Sequence, residues 1–146
     1  MVAGRALILG GVAIPYHLGL LGHSDADVLS HAIGDAFLGA VGAGDLGRHF
    51  PDKDPAFKDI SSLILLEKIR QIVQQRGFAP VNVDATVVCE APRLMPHFPE
   101  MINKLAKVLG LAPEEINLKA TTTEHMGFAG RGEGIAAYAV VLVKKV

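Results

Sequence analysis

The chain has 146 residues, half of them hydrophobic, a net charge of −1, one cysteine, no tryptophan and 5% aromatic residues. That length and apolar share suit a single domain with one core. The near-zero charge gives no electrostatic case for nucleic acid or an anionic membrane, and the scarce aromatics give no base-stacking platform. The single cysteine, Cys89, excludes an internal disulfide and fits a reducing compartment. No apolar run reaches the ~18 residues of a membrane span, and the opening M-V-A-G-R-A-L lacks the pattern of a signal peptide. A soluble intracellular protein is the expectation.

Ala6 to Ile14 is apolar and interrupted by Gly10 and Gly11, which predicts a bent strand or short hairpin. His23-Ser24-Asp25 precedes a helix that Ser24 or Asp25 caps. Val28, Leu29, Ala32, Ile33, Ala36, Phe37, Ala40 and Val41 recur in helical pairs as its buried face. Asp27, His31 and Asp35 recur every four residues and share the opposite face. Gly42 to Lys58 reads as loop. A second helix starts at Ser61 or Ser62 and runs to about Arg76, with Gly77 as terminator. Val81 to Glu90 alternates as a strand, and a proline-rich loop follows. Glu100 to Leu109 is a third helix closed by Gly110. Ile116–Thr122 and Ile135–Lys144 are strands whose glycine-rich connection suggests an antiparallel hairpin. Interleaved helices and strands in one domain give an α+β or α/β class.

Four segments gather polar residues at element ends: 23–31, 45–54, 89–95 and 121–133. His31 is open to two readings, a solvated helix face or a metal ligand; one histidine alone is not a site, because catalytic zinc takes about three protein ligands. Cys89 reads first as a small buried apolar residue. Leu94 and Met95 read as a local plug, Phe128 as a loop anchor, and Arg131 with Glu133 as a surface pair. The segment from Thr121 to Glu133 is harder to assign to structure alone. Threonine hydroxyls and glycine-freed N–H groups suit a phosphate. A glutamate beside them suits one only with a cation between carboxylate and phosphate.

H-S-D-A-D-V-L-S-H at 23–31, G-D-L-G-R-H-F-P-D-K-D-P-A-F-K at 44–58, E-A-P-R-L-M-P-H at 90–97 and K-A-T-T-T-E-H-M-G-F-A-G-R-G-E-G-I at 119–135 together resemble the 2-C-methyl-D-erythritol 2,4-cyclodiphosphate synthase family of the non-mevalonate isoprenoid pathway. The resemblance spans almost the whole chain. It implies a mixed sheet with helices on one face, ferredoxin-like, in a homotrimer with active sites between subunits. It implies a cytidyl diphosphate substrate, release of CMP, and a location in bacterial cytoplasm or plastid stroma.

Carried over by position, the resemblance implies that His23 and Thr122 stabilise the transition state. It makes His31 a zinc ligand and Glu124 the holder of magnesium or manganese. Ser24, Asp45, Leu46, Gly47, Phe50, Pro51, Asp52, Lys53 and Asp54 would bind substrate, with Phe128 and Arg131. Cys89, Glu90, Ala91, Pro92, Arg93, Leu94 and Met95 would hold the cytidine, with Thr121 and Thr123. Phe128, Arg131 and Glu133 would border a cavity on the trimer axis that can take an isoprenoid diphosphate. The family pattern opens with an Asp-x-His strand that supplies two further zinc ligands, and nothing before His17 matches it. The expectation is a native protein longer than these 146 residues; the alternatives are a natural variant that lost zinc, or a non-catalytic trimeric binder of cytidine nucleotide or isoprenoid diphosphate. A generic metal-dependent phosphohydrolase is a further possibility that composition and pattern do not separate from the cyclase.

Overall fold

The computed structural model describes Met1–Val146. The chain opens with a two-residue strand β1 (Val2–Ala3), then β2 (Leu7–Leu9) and β3 (Val12–Ile14). The expected hairpin is present: β2 and β3 pair antiparallel around Gly10 and Gly11, both left-handed at φ +57° and +75°. Only glycine suits this turn, since a Cβ at Gly11 would run into the Leu63 side chain. Strand β4 (Leu18–Gly19) returns to pair with β1.

Helix α1 spans Val28–Ala40. Its cap is Asp27, not Ser24 or Asp25: the Asp27 carboxylate accepts the Ser30 N–H at 2.9 Å. The expectation of a shared polar face for Asp27, His31 and Asp35 also fails. Asp35 is exposed and His31 half-buried, but Asp27 is wholly buried. It sits under the β2–β3 turn and accepts the N–H groups of Gly10 and Gly11 at 3.0 and 2.7 Å, with the Ser30 hydroxyl at 2.8 Å. Leu29, Ile33 and Phe37 form the buried face as expected, joined by Leu38, while Ala40 is exposed.

The segment 42–58 is not a plain loop. It holds a one-turn helix α2 (Leu46–His49), capped by Asp45, and a 3-10 turn at Pro55–Phe57, capped by Asp54. Helix α3 (Ser62–Gln75) begins after its Ser61 cap and ends at a left-handed Gly77. Strand β5 (Phe78–Val88) starts three residues before the alternation suggests. Helix α4 (Phe98–Leu109) stops at Gly110, which is left-handed at φ +68°. Strands β6 (Ile116–Thr121) and β7 (Ala136–Lys145) flank the short α5 (Gly127–Gly130).

The expected hairpin between β6 and β7 is absent. The order is β6-β5-β7: β6 runs parallel to β5, and β7 pairs antiparallel along the other edge of β5. A crossover through α4 brings β6 in parallel, as parallel neighbours require. The glycine-rich connection therefore passes across the end of β5 rather than closing a tight turn. The result is a mixed α+β fold with one core. Val83, Ala85 and Val87 of β5 face α1 and α3, while Ile116 and Leu118 of β6 face α4. The other sheet face is open. On it Tyr138, Val140 and Leu142 of β7 are 68%, 73% and 57% exposed, beside Asp84, Asn117 and Lys119. Hydrogen bonds from Asn117 (3.0 Å) and Lys119 (2.9 Å) hold the Asp84 carboxyl below its ordinary range.

Candidate active site

The N-terminal end of α1 borders a cleft of about 320 Å³ lined by Leu20, Leu21, His23, Ser24, His31 and Asp52 among others. A neighbouring hollow of about 210 Å³ shares His23, Ser24, His31 and Asp52 and adds Leu46, Gly47, Phe50 and Phe57. His23 donates from Nε2 to the Asp54 carbonyl at 3.1 Å, tying the entry of α1 to the 50–54 turn. That turn is braced by Phe50 against the edge of Phe57, with centroids 5.5 Å apart, and by the Asp54 cap on Ala56 at 2.9 Å. Asp45 spends one oxygen capping α2, through the Arg48 N–H at 3.0 Å. Pro51 and Lys53 are exposed and border neither hollow.

A second cavity, about 240 Å³, lies off the C-terminal ends of the parallel strands β5 and β6. Such crevices are where ligands bind in parallel sheets. Cys89, Glu90, Pro92, Arg93, Leu94, Met95, Thr121 and Thr122 line it with Ala120. Leu94 also belongs to the core at 1% exposure, whereas Met95 is 63% exposed. Burial, helped by the nearby Glu90 charge, pushes the Cys89 thiol up, so it is no thiolate nucleophile. Ala91 is exposed and does not border the cavity. Thr123 borders a small apolar hollow of about 140 Å³ with Phe128 and Tyr138 instead.

Glu90 does more than line a wall. Its side chain is only 16% exposed, and it accepts the N–H groups of Thr123 and His125, each at 3.2 Å, with His125 Nδ1 at 3.3 Å. Between and beside those donors, Glu124 and His125 are left-handed at φ +53° and +65°. Non-glycine residues hold that conformation only when their surroundings enforce it. Here the enforcement comes from Glu90, from the Thr122 hydroxyl, which accepts the Glu124 N–H at 3.3 Å, and from the close approach of Gly130, where a Cβ would collide with the His125 backbone. The turn leaves the Glu124 side chain exposed. Arg131 and Glu133 form an exposed bidentate pair at 3.0 and 3.1 Å, which raises the guanidinium and lowers the carboxyl.

The structure thus gathers His23, Ser24, His31 and Asp52 in one place and Glu90, Thr121 and Thr122 in another. The two groups do not share a cavity within one chain. Ser62, whose hydroxyl lies 2.8 Å from His31 Nε2, belongs with the first group although sequence reasoning gave it no site role; Asp25, expected only as a helix cap within the polar segment 23–31, holds it there. Sequence offered Ser62 only as a helix start, 31 residues from its partner. No group of three or more His, Cys, Asp or Glu side chains converges as a metal set. His31 contributes one imidazole where zinc takes about three protein ligands, so the residues present do not make up a zinc site. Glu124 suits a different ion: magnesium is commonly held by one or two carboxylates plus substrate phosphates.

The site thus combines an α+β fold, a crevice off parallel strand ends with two threonines in its wall, and an exposed carboxylate at Glu124 outside it. The chain belongs to the YgbB family, whose model matches residues 1–144. It is 57% identical over 145 residues to a 2-C-methyl-D-erythritol 2,4-cyclodiphosphate synthase from Pelotomaculum thermopropionicum, covering 99% of this chain and 90% of that protein. Among solved structures, it superposes with a TM-score of 0.95 and 42% identity on the bifunctional IspDF from Campylobacter jejuni, covering 99% of this chain but 39% of that longer one. A 2C-methyl-D-erythritol-2,4-cyclodiphosphate synthase in its CDP-bound form matches at 0.89 and 34%, over 98% of this chain and 93% of that one.

Proposed function

We propose that the chain catalyses cyclisation of 4-diphosphocytidyl-2-C-methyl-D-erythritol 2-phosphate to 2-C-methyl-D-erythritol 2,4-cyclodiphosphate and CMP, as a single cyclodiphosphate synthase domain over residues 1–146. The observation that carries this reading is the 57% identity, across 99% of the chain, with a relative of that name. An oxygen of the 2-phosphate attacks the β-phosphorus, and the bond from that phosphorus to the bridging oxygen breaks. CMP leaves with the bridging oxygen. Both reacting groups belong to one substrate, so catalysis is folding the substrate into a near-attack shape and offsetting charge on phosphoryl oxygens.

The chain's own residues divide that work. The crevice lined by Cys89, Glu90, Pro92, Arg93, Leu94, Met95 and Thr121 takes the cytidine, with Ala91 and Thr123 outside its wall, in keeping with the CDP-bound state of a structural relative. Asp45, Leu46, Gly47 and the 50–54 turn take the methylerythritol part, Ser24 joins His23 at the phosphate, and Phe128 and Arg131 are further substrate contacts. His23 and Thr122 donate to the phosphoryl oxygens on which charge gathers. Glu124 would hold magnesium or manganese, which supplies positive charge against the diphosphate. His31 would serve a cation as one ligand of an incomplete set, and no step depends on it here. Cytoplasm is the compartment this reading fits; no helix is long and apolar enough to cross a membrane.

A homotrimer, with a ferredoxin-like protomer, is the assembly that accommodates two half-sites: one subunit's crevice beside its neighbour's His23–His31 cleft. Its support is the open apolar face of β7, since patches of that kind mark interaction sites. Phe128, Arg131 and Glu133 would then border an axial cavity suited to an isoprenoid diphosphate. Val140→Asp is expected to convert a particle of three times the 15.4 kDa chain mass into monomer by light scattering. A monomeric wild type would end the trimer proposal.

The reaction is tested by phosphorus NMR of the chain with substrate and magnesium, with zinc added in a parallel sample. CMP and a cyclic diphosphate are expected in stoichiometric amounts. A linear phosphate product would replace cyclisation with hydrolysis.

A further inference from the structure

His31 offers its cleft only one of two ring nitrogens, and the hydrogen bonds around it determine which. Nε2 faces two hydroxyls, Ser62 Oγ at 2.8 Å and Ser24 Oγ at 3.3 Å. Ser62 is 1% exposed and sits at the first turn of α3. The Asp25 carboxylate holds it twice, through the Ser62 N–H at 2.9 Å and through a short bond from the Ser62 hydroxyl. Asp25 also accepts the Asp27 N–H at 3.1 Å.

A hydroxyl has one proton to give, and a carboxylate only accepts. In the bond between Ser62 and Asp25 the hydroxyl is the donor, so the Ser62 proton lies toward Asp25. The Ser62 oxygen is then an acceptor toward His31, so Nε2 carries the ring proton. Nδ1 keeps its lone pair. It makes no hydrogen bond in the chain. Arg5 Nε is the sole buried, unpaired side-chain polar atom, so Nδ1 is open to solvent.

We propose that Asp25 and Ser62 are positioning residues that lock His31 as its Nε2–H tautomer, with the Nδ1 lone pair presented to the cleft. The device resembles the carboxylate–imidazole pairs that orient functional histidines, with a hydroxyl inserted between the two. It joins the start of α1 to the start of α3, so the histidine's direction and its protonation are set by the same two residues. Use of that lone pair in turnover rests on the cyclase reading; the tautomer assignment rests only on the hydrogen-bond geometry.

The test is nitrogen-15 NMR of the full chain labelled at histidine, in alkaline buffer where the ring is neutral. The expected His31 spectrum has a pyrrole-type Nε2 and a pyridine-type Nδ1. Ser62→Ala is expected to mix in the second tautomer. Ser62→Thr, which keeps the hydroxyl, is expected to restore the first. Asp25→Asn should tilt the balance toward Nδ1–H, because an amide can donate to Ser62 and free its hydroxyl to donate to Nε2. A wild-type ring protonated on Nδ1 overturns the proposal, and so does a tautomer ratio that neither Ser62→Ala nor Asp25→Asn moves. If Ser62→Ala does not fold, the wild-type spectrum and Asp25→Asn still decide it. Absence of CMP release from the wild type would count against the cyclase reading while leaving the tautomer result intact.

Discussion

Asp27→Ala is expected to be the most destabilising polar substitution in this chain, costing about 4 kcal/mol, because it strands several buried donors at once. The carboxylate is fully buried and serves four of them: the N–H groups of Gly10, Gly11 and Ser30 and the Ser30 hydroxyl. Its removal would leave the β2–β3 turn and the start of α1 each without an acceptor. Asp27→Asn keeps one acceptor oxygen but turns an NH₂ toward donors, so it should lose about half as much. Urea denaturation at fixed protein concentration measures both. A shift below about 1 kcal/mol for Asp27→Ala would mean that water replaces the carboxylate freely.

The same residue gives a pH signature. Burial pushes the Asp27 carboxyl above its ordinary range, and the donors from Ser30, Gly11 and Gly10 only partly pull it back. The folded chain therefore binds this proton more tightly than the unfolded chain does. Where the folded state holds more protons, stability falls as pH rises. Asp27 thus weakens the fold on going up through the window between the ordinary carboxylate range and its raised value. Asp27→Asn should flatten that slope while lowering stability throughout.

Glu124→Gly should move stability and activity in opposite directions. Glutamate at φ +53° carries backbone strain that glycine does not. Relief of that strain, less the extra freedom of an unfolded glycine, is expected to stabilise by roughly 0.5 kcal/mol. Loss of the carboxylate should lower kcat/KM by about 10³-fold if it holds a cation on the diphosphate, equivalent to roughly 4 kcal/mol of transition-state stabilisation. Glu124→Gln should lose nearly as much activity with no gain in stability. Steady-state CMP release and a thermal melt of the three proteins suffice. Retained turnover in both variants would remove Glu124 from the reaction.

Local signals in the sequence were reliable where chemistry is local. Ser61 before α3, Gly77 and Gly110 after α3 and α4, and the paired glycines of the first hairpin mark their elements because caps and turns act within a few residues. Lateral strand order was not legible. β6 and β7 are consecutive and joined by glycines, yet β5 lies between them, and alternation says nothing about neighbours. Periodicity also reports a face, not a depth. Asp27 shares its spacing with exposed Asp35 but is buried, because Gly10 and Gly11 supply its donors from 17 and 16 residues away.

The candidate site followed the same division. The resemblance drew attention to His23, Ser24, His31 and Asp52, which do meet in one cleft. It placed Glu90 among the cytidine contacts. The structure shows it also bracing the left-handed turn at Glu124 and His125. The link from Asp25 through Ser62 to His31 had no trace in spacing, since tertiary packing alone brings the two helix starts together.

The central position of β5 has a bearing on how the polypeptide is made. This strand is complete by Val88, yet one of its edges waits for β6 and the other for β7, which closes at Lys145. Helix α1, finished by Ala40, packs mainly on β7 and so waits about a hundred residues for its seat. During synthesis the early half of the chain holds two amphipathic helices and a strand with both edges unpaired, and the face of α1 that packs on β7 is still uncovered. Such long-range pairing slows folding and exposes apolar surface to aggregation. Chaperone protection of nascent chains, and a sharp loss of soluble yield on trimming the final ten residues, are the expected cellular marks of a sheet assembled from its two outer strands last.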